Sequence, residues 1–443
     1  EQACQLSREV ARSPIEPPFL AAAGALANAA GKAERREGLR EALRYYTRAL
    51  DVLGDEHPER QLELRLRKGA TLVQLAQLAE AELLLTGVAA EAEKRGRLDL
   101  RCAALVELGD MDQRLGRAAQ SRGNVVEAGE LAKRIGDKTL EVRAVFVLAA
   151  LKADFDGAYT EAIEELRGAR ALASELDPAL RAEGDLRLAA MLMNLGRLDE
   201  AEDVLEGCLA LAGDMGSRKF EAVATCYLGT VNFYRGRLEE AERLSLQARE
   251  WLERTCDTYY QVQNLVRGLA VNELERDNPE AAEQWLHEAL PIALDIGGWL
   301  VVETYRFLTE TLVRQGRLDD ARELAVFARR SLPEEDLYAR AAVLLAEAAV
   351  KSAANDVVPA VARYEEALRL LAEVDLRIEI GETRLAFGRA LRRFGDDERA
   401  RSELEQAREL FTEMGADGVL AAVERELAEM EEGAGPAGPL VAA

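Results

Sequence analysis

The phrase GRLDEAE at 196–202 returns as GRLEEAE at 236–242 and as GRLDDAR at 316–322. Aligned on the alanine near its end, it marks ten equivalent positions: Ala42, Ala81, Ser121, Ala162, Ala201, Ala241, Ala282, Ala321, Ala360 and Ala400. Successive intervals are 39, 40 or 41 residues. No other property of the chain constrains its fold as much. A unit of this length cannot bury its apolar face alone, so neighbours must stack into a solenoid.

Two further columns follow the same period. Seven residues after the anchor, eight of the ten positions are Ala, the others being Val88 and Cys208. Twelve residues before it stand Gly31, Gly69, Gly109, Ala150, Ala189, Gly229, Ala270, Thr309, Ala348 and Gly388. Small side chains let two helices approach closely, so this column predicts a helix crossing. Each unit reads as two helices. In the fifth, helix A covers 180–196, the turn is Gly196 to Leu198, and Asp199 is expected to cap helix B. The acidic residues of the phrase then sit in a first helical turn, where they favour the helix dipole. Copies one unit apart lie along a ridge and do not converge on a metal or acid–base centre.

Ala, Leu, Glu and Arg dominate the composition, and these are strong helix formers. Alternating β-branched runs are missing. The expected fold is all-α: an α-α superhelix, a right-handed solenoid of about ten helix-turn-helix repeats over 17–416. Residues 417–432 read as a polar capping helix, and GAGPAGPLVAA at 433–443 has the composition of a disordered tail. The chain begins at Glu1 with no signal-peptide pattern, and residues 1–16 are expected to be a flank from an upstream domain of a longer chain.

The spacing of small residues, G-x-x-x-x-A and the following Ala resembles the tetratricopeptide repeat over about residues 17–414. The period differs, near 40 here against about 34 in that family. The longer unit resembles the sensor arrays of bacterial signal-transduction ATPases of the maltose-regulator type. It is also similar to the C-terminal arrays of cyclase–ATPase fusion proteins. The final unit, ARSELEQARELFTEMGADGVLAAVERELAEM at 400–430, looks like the way such arrays close. The resemblance implies a regulatory module and supplies no ligand motif to carry over.

Catalytic signatures are missing. GALANAAGKA at 24–33 has six residues between its glycines and Ala33 where a phosphate-binding loop needs a hydroxyl, so it reads as helix. His57 and His287 are the two histidines, and neither lies in a zinc-binding pattern. No GxSxG occurs. The five cysteines form no CxxC pair, which fits a reducing, cytoplasmic setting. The net charge of -24 repels nucleic acid and membrane surfaces, and no apolar run spans a membrane. The expectation is a non-enzyme with no catalytic residue, metal or cofactor, and no direct contact with nucleic acid or membrane.

Binding is expected in the concave face lined by the A helices. The repeat register points inward at Asn28, Lys32 and Arg35 in unit one, at Val106, Asp110 and Gln113 in unit three, and at Cys226, Thr230 and Phe233 in unit six. Arg267, Val271 and Leu274 follow in unit seven, and Arg306, Glu310 and Val313 in unit eight. All three tryptophans fall within 49 residues, with several tyrosines nearby. The candidate groove residues are Tyr227, Thr230, Phe233, Gln263, Arg267, Trp299, Tyr305, Arg306 and Glu310. Two arginines near aromatic rings suit a carboxylate or phosphate on a ring-bearing ligand. The same residues also fit plain core filling, with the arginines paired to nearby Glu. Two functions stay open: a sensor array taking a small inducer or protein partner, or a freestanding adaptor for a peptide or helix.

Overall fold

The computed structural model describes residues 18–54 and 57–432. The expected flank at 1–16 and the tail at 433–443 lie outside the described residues. Ten helix pairs run in chain order, beginning with α1 (Pro18–Glu34) and α2 (Leu39–Leu53), then α3 (Pro58–Gln74) and α4 (Leu78–Lys94). Unit three is α5 (Leu98–Arg114) and α6 (Ala118–Ile135), unit four α7 (Lys138–Asp156) and α8 (Tyr159–Leu176), unit five α9 (Pro178–Asn194) and α10 (Leu198–Met215). Unit six is α11 (Arg218–Tyr234) and α12 (Leu238–Thr255), and unit seven is α13 (258–275) and α14 (Pro279–Ile296). Unit eight is α15 (Trp299–Arg314) and α16 (Leu318–Arg330), unit nine α17 (Leu337–Ala353) and α18 (Val357–Glu373), unit ten α19 (Arg377–Phe394) and α20 (Asp397–Met414). A single helix, α21 (Asp417–Glu431), closes the array. No strand occurs among the described residues.

The repeated columns are the packing seams. All ten anchor positions are fully buried. The small column marks where helices A and B of one unit cross. A Cβ at Gly69 would lie 2.6 Å from Leu85, and one at Gly388 would lie 2.7 Å from Leu404. Gly229 meets Ser245 in the same way, at 2.8 Å. Each partner stands sixteen residues on, one helical turn past the anchor. In unit one the seam is looser, for Gly31 has only Arg35 nearby, at 3.7 Å.

The phrase itself acts between units. Gly196, Gly236 and Gly316 take φ of 73°, 75° and 75°, the left-handed turn that glycine adopts without steric cost. The cap of helix B falls two residues earlier than expected, at Arg197, with the helix starting at Leu198 and no side-chain cap. Asp199 therefore does not cap. It lies inside the first turn and pairs with Arg235 of the next unit. The pattern repeats: Arg317 reaches Glu283 of the preceding copy at 2.7 Å, and Arg276 reaches Glu242 at 2.7 Å. The acidic residues form a ladder that ties unit to unit.

Unit seven carries one residue more than its neighbour. Its A helix absorbs the excess as a π-helical turn, Asn264–Ala270, between Thr258–Gln263 and Val271–Glu275. Such a turn re-aims the side chains that follow from it, and Arg267 sits within this one.

The superhelix is wound tightly enough for successive turns to touch about five units apart. Ser217 donates to Glu37 at 2.6 Å, joining unit one to the start of unit six. The Gly116 turn abuts Pro333 and Asp336, and the Gly157 turn abuts the Glu373–Val374 backbone. Gly196 lies against Met414, and Gly236 lies against Gly418 of the cap. One apolar core joins units four to six with units nine and ten, from Phe146 through Leu192 to Tyr364 and Phe387.

Candidate functional site

The winding turns the A helices of units three to ten toward one another around a cavity of about 270 Å³. Both turns of the superhelix contribute to its wall. Gln113 and Arg114 of α5, Asp154 of α7 and Arg187 of α9 come from the first turn. Tyr227 and Thr230 of α11, Gln263 and Arg267 of α13, Trp299 and Glu303 of α15, and Tyr338 of α17 come from the second.

An aromatic wall runs along one side. Tyr227 meets Tyr260 edge-on at 5.9 Å, and Tyr260 meets Tyr259 at 5.3 Å. Tyr259 meets Trp299 at 6.2 Å, and Trp299 meets Tyr338 at 5.8 Å. All four pairs are close to perpendicular, the arrangement that ring quadrupoles favour. The Arg114 guanidinium sits over the Tyr259 ring, 4.9 Å from its centroid.

Behind this wall lies a buried charge network. Arg267 donates from Nε to Glu303 at 2.7 Å and from a terminal nitrogen to the Tyr338 hydroxyl at 2.8 Å. It also pairs with Glu379, and with Glu382 at 3.4 Å. Arg306 pairs with the second Glu379 oxygen and with Glu310, each at 3.0 Å. Both guanidiniums lie 4.8 Å from the Phe307 centroid. On the first turn, Arg114 and Arg187 share Asp110. Such pairs hold only because each member compensates the other; removing one leaves an unpaired buried charge.

The carboxyls respond to these surroundings. Burial pushes Glu379 up, but Arg267 and Arg306 outweigh it and hold the group below its ordinary range. Glu382 is pushed up to about 7 by burial and by its neighbour Glu379. Asp154 faces the cavity and is partly buried; burial and nearby Asp336 push it up to about 7. Asp336, which caps α17 by accepting from the Ala339 amide, is pushed up to about 6 by burial.

Of the nine residues singled out in the sequence, Tyr227, Thr230, Gln263, Arg267 and Trp299 line the cavity. The other four do not. Phe233 is core between units five, six and the cap. Tyr305 is buried against Phe327, its ring stacked at 6.1 Å. Arg306 and Glu310 are paired to each other outside the lining, although Arg306 joins Arg267 on Glu379. Trp251 and Trp285 also lie elsewhere, each under an arginine, Arg218 and Arg249, on B helices. Phe233, Tyr305, Arg306 and Glu310 all lie on α11 and α15, where those faces pack against the cap, α16 and α19 instead of opening to the cavity.

The sequence reading missed Asp154, Asp336, Glu303, Glu379 and Tyr338. A signal did exist for one of them: Glu303 in WLVVETYRFL is a charge set inside apolar helix, where burial demands a partner. The stretch at 24–33 lies within α1. Among the described residues, no group of three His, Cys, Asp or Glu side chains is placed to hold a metal ion, and no helix is long and apolar enough to cross a membrane.

Comparison with known proteins agrees with the fold. Residues 186–213 match the tetratricopeptide repeat family. No match was found among curated protein sequences. A Rap protein complexed with competence and sporulation factor superposes with a TM-score of 0.57 at 12% identity, covering 81% of this chain and 99% of that one. A signal-transduction ATPase with a tetratricopeptide repeat sensor from Pyrococcus horikoshii gives 0.41 at 17% identity, over 71% of this chain and 48% of that one. The apo quorum sensor NprR from B. thuringiensis gives 0.44 at 13% identity, over 87% and 98%. With its ten helix pairs and the matched repeat, the chain is an all-α array of tetratricopeptide-like repeats wound as an α-α superhelix.

Proposed function

We propose that this array is a non-catalytic sensor and interaction module that takes a small ligand into its central cavity and passes the event to a partner protein or a further domain. One observation carries the reading: the cavity wall is assembled from both turns of the superhelix. A ligand there would touch units three to five and units six to ten together. It would favour the closed winding over any looser one by its difference in affinity for the two. The cavity size, its aromatic wall and its few polar groups suit a compact ligand.

Native mass spectrometry after exposure to bacterial cell extract tests this. A bound small mass is expected, and it should disappear in Ala190→Phe, which fills the cavity from α9. A chain that gains no small mass contradicts the reading.

A second reading has its own support. The Rap protein of similar fold is complexed with competence and sporulation factor, so an array of this shape accommodates a partner. An adaptor would hold a peptide or helix outside the narrow interior. In the same experiment it would retain a polypeptide even with Ala190→Phe in place.

A further inference from the structure

The arginines at the cavity suggest an anionic ligand at first sight, and the pairing argues the opposite. Each guanidinium on the wall is already committed. Arg267 serves Glu303, Glu379 and Glu382, while Arg114 and Arg187 serve Asp110. An incoming carboxylate or phosphate would have to displace a buried carboxylate and leave it unpaired, which buried charge pairs resist strongly.

The negative groups are not all committed. Glu303 is only 1% exposed and accepts from Arg267 and Tyr338 through one oxygen alone. Its other carboxylate oxygen is buried with no hydrogen-bond partner, in a residue that lines the cavity. Asp154 accepts from Gln113 at 2.7 Å and Asp336 from the Ala339 amide, and neither forms an ion pair among the described residues. The rings of Tyr260, Trp299 and Tyr338 line the same cavity. Rings attract positive charge within about 6 Å of their centroids, and Arg114 over Tyr259 shows this wall already doing so.

We infer that the central cavity takes a small organic cation, an amine or quaternary ammonium, seated against the aromatic wall with Glu303, Asp154 and Asp336 as its counter-charges. This rests on the small-ligand reading of the cavity given above and adds the charge class. A cation would meet the unpartnered Glu303 oxygen and the two unpaired aspartates without breaking any existing ion pair.

Isothermal titration of the full chain with matched ligands tests it. The probes are choline against its neutral isostere 3,3-dimethylbutan-1-ol, and tyramine against the anion 4-hydroxyphenylacetate. At pH 8 the elevated Asp154 and Asp336 carboxyls are ionised. Saturable binding of at least one cation is expected, with at least tenfold weaker binding of its neutral or anionic counterpart. Glu303→Gln should weaken the cation at least tenfold. Because that change also touches Arg267, Asp154→Asn is the second variant; it leaves the Arg267 network intact and should weaken binding by a similar factor. Equal or tighter binding of the anion or the neutral isostere overturns the charge class and leaves the small-ligand reading standing. Cation binding unchanged in both folded variants places the cation elsewhere and overturns the inference. Absence of binding by every probe, with helicity intact, overturns it as well.

Discussion

Units one to three and the interior of units three to ten rest on the same forty-residue period, yet they do different things with their inward-facing charges. At the N-terminal end, Asn28, Lys32, Arg35, Arg60, Arg67 and Arg97 line a cleft of about 570 Å³, with Glu63 and Asp99 among them. Lys32 and Arg35 stand where the repeat register places them, facing that cleft. In the central region the inward charges are buried and bound together across the superhelix, Arg267 of α13 to Glu379 of α19 above all. The period fixes which helix faces in. The second turn of the winding decides whether a charge on that face meets solvent or a partner, and so whether it is replaceable.

That difference is sharpest at Arg267. Arg267→Ala leaves Glu303, Glu379 and Glu382 buried around a vacancy and should cost on the order of 3–5 kcal/mol in urea unfolding. Lys32→Ala in the cleft should change stability by less than about 0.5 kcal/mol. Equal effects at the two sites would erase the distinction.

Titration separates the two regions next. Asp154 and Glu382 carry folded values near 7, above their ordinary range. For an acid raised by folding, the stabilisation is complete below the ordinary value and is lost as pH rises through the folded one. The chain should therefore melt higher at pH 5.5 than at pH 8. The gap should narrow in the double variant Asp154→Asn/Glu382→Gln, whereas Lys32→Ala should leave it unchanged. Differential scanning calorimetry at the two pH values reads both.

The smallest effect belongs to the ladder between units. Arg317 is half exposed, and its pair with Glu283 at 2.7 Å lies at the surface. Arg317→Ala should cost no more than about 1 kcal/mol. Most of that should vanish in about 1 M salt, where charges are screened within roughly 3 Å. A loss as large as that at Arg267 would mean the ladder, not the interior, holds the winding.

Much of the fold was legible because its cause is local. The anchor alanines and the small column report contacts sixteen residues apart, within one unit, and a single period displays them. The candidate site was legible only in part. Tyr227, Thr230, Gln263, Arg267 and Trp299 lie in neighbouring units of the second turn, where the repeat register points to Thr230 and Arg267 and the clustering of aromatics to Tyr227 and Trp299. Asp154 faces them from 73 to 145 residues earlier in the chain, on the other turn of the superhelix, and nothing in a forty-residue period encodes which units come face to face. The π turn added a local error, since one extra residue in α13 rotates what the register predicts for Val271 and Leu274.

The superhelix closes turn upon turn, and Gly418 tests that closure by the sign of one substitution. Gly418 lies in the first turn of α21, with a backbone that tolerates a side chain. A Cβ there would lie 2.6 Å from the Gly236 amide nitrogen and 2.8 Å from the Phe233 carbonyl oxygen, backbone atoms that cannot step aside. In an open solenoid, Gly418→Ala would stabilise by up to about 1 kcal/mol through helix propensity alone. In the closed winding it must wedge the seam between unit six and the cap. Urea denaturation of Gly418→Ala should therefore show a lower midpoint than the parent chain, and a raised midpoint would contradict the closed superhelix and the cavity it encloses.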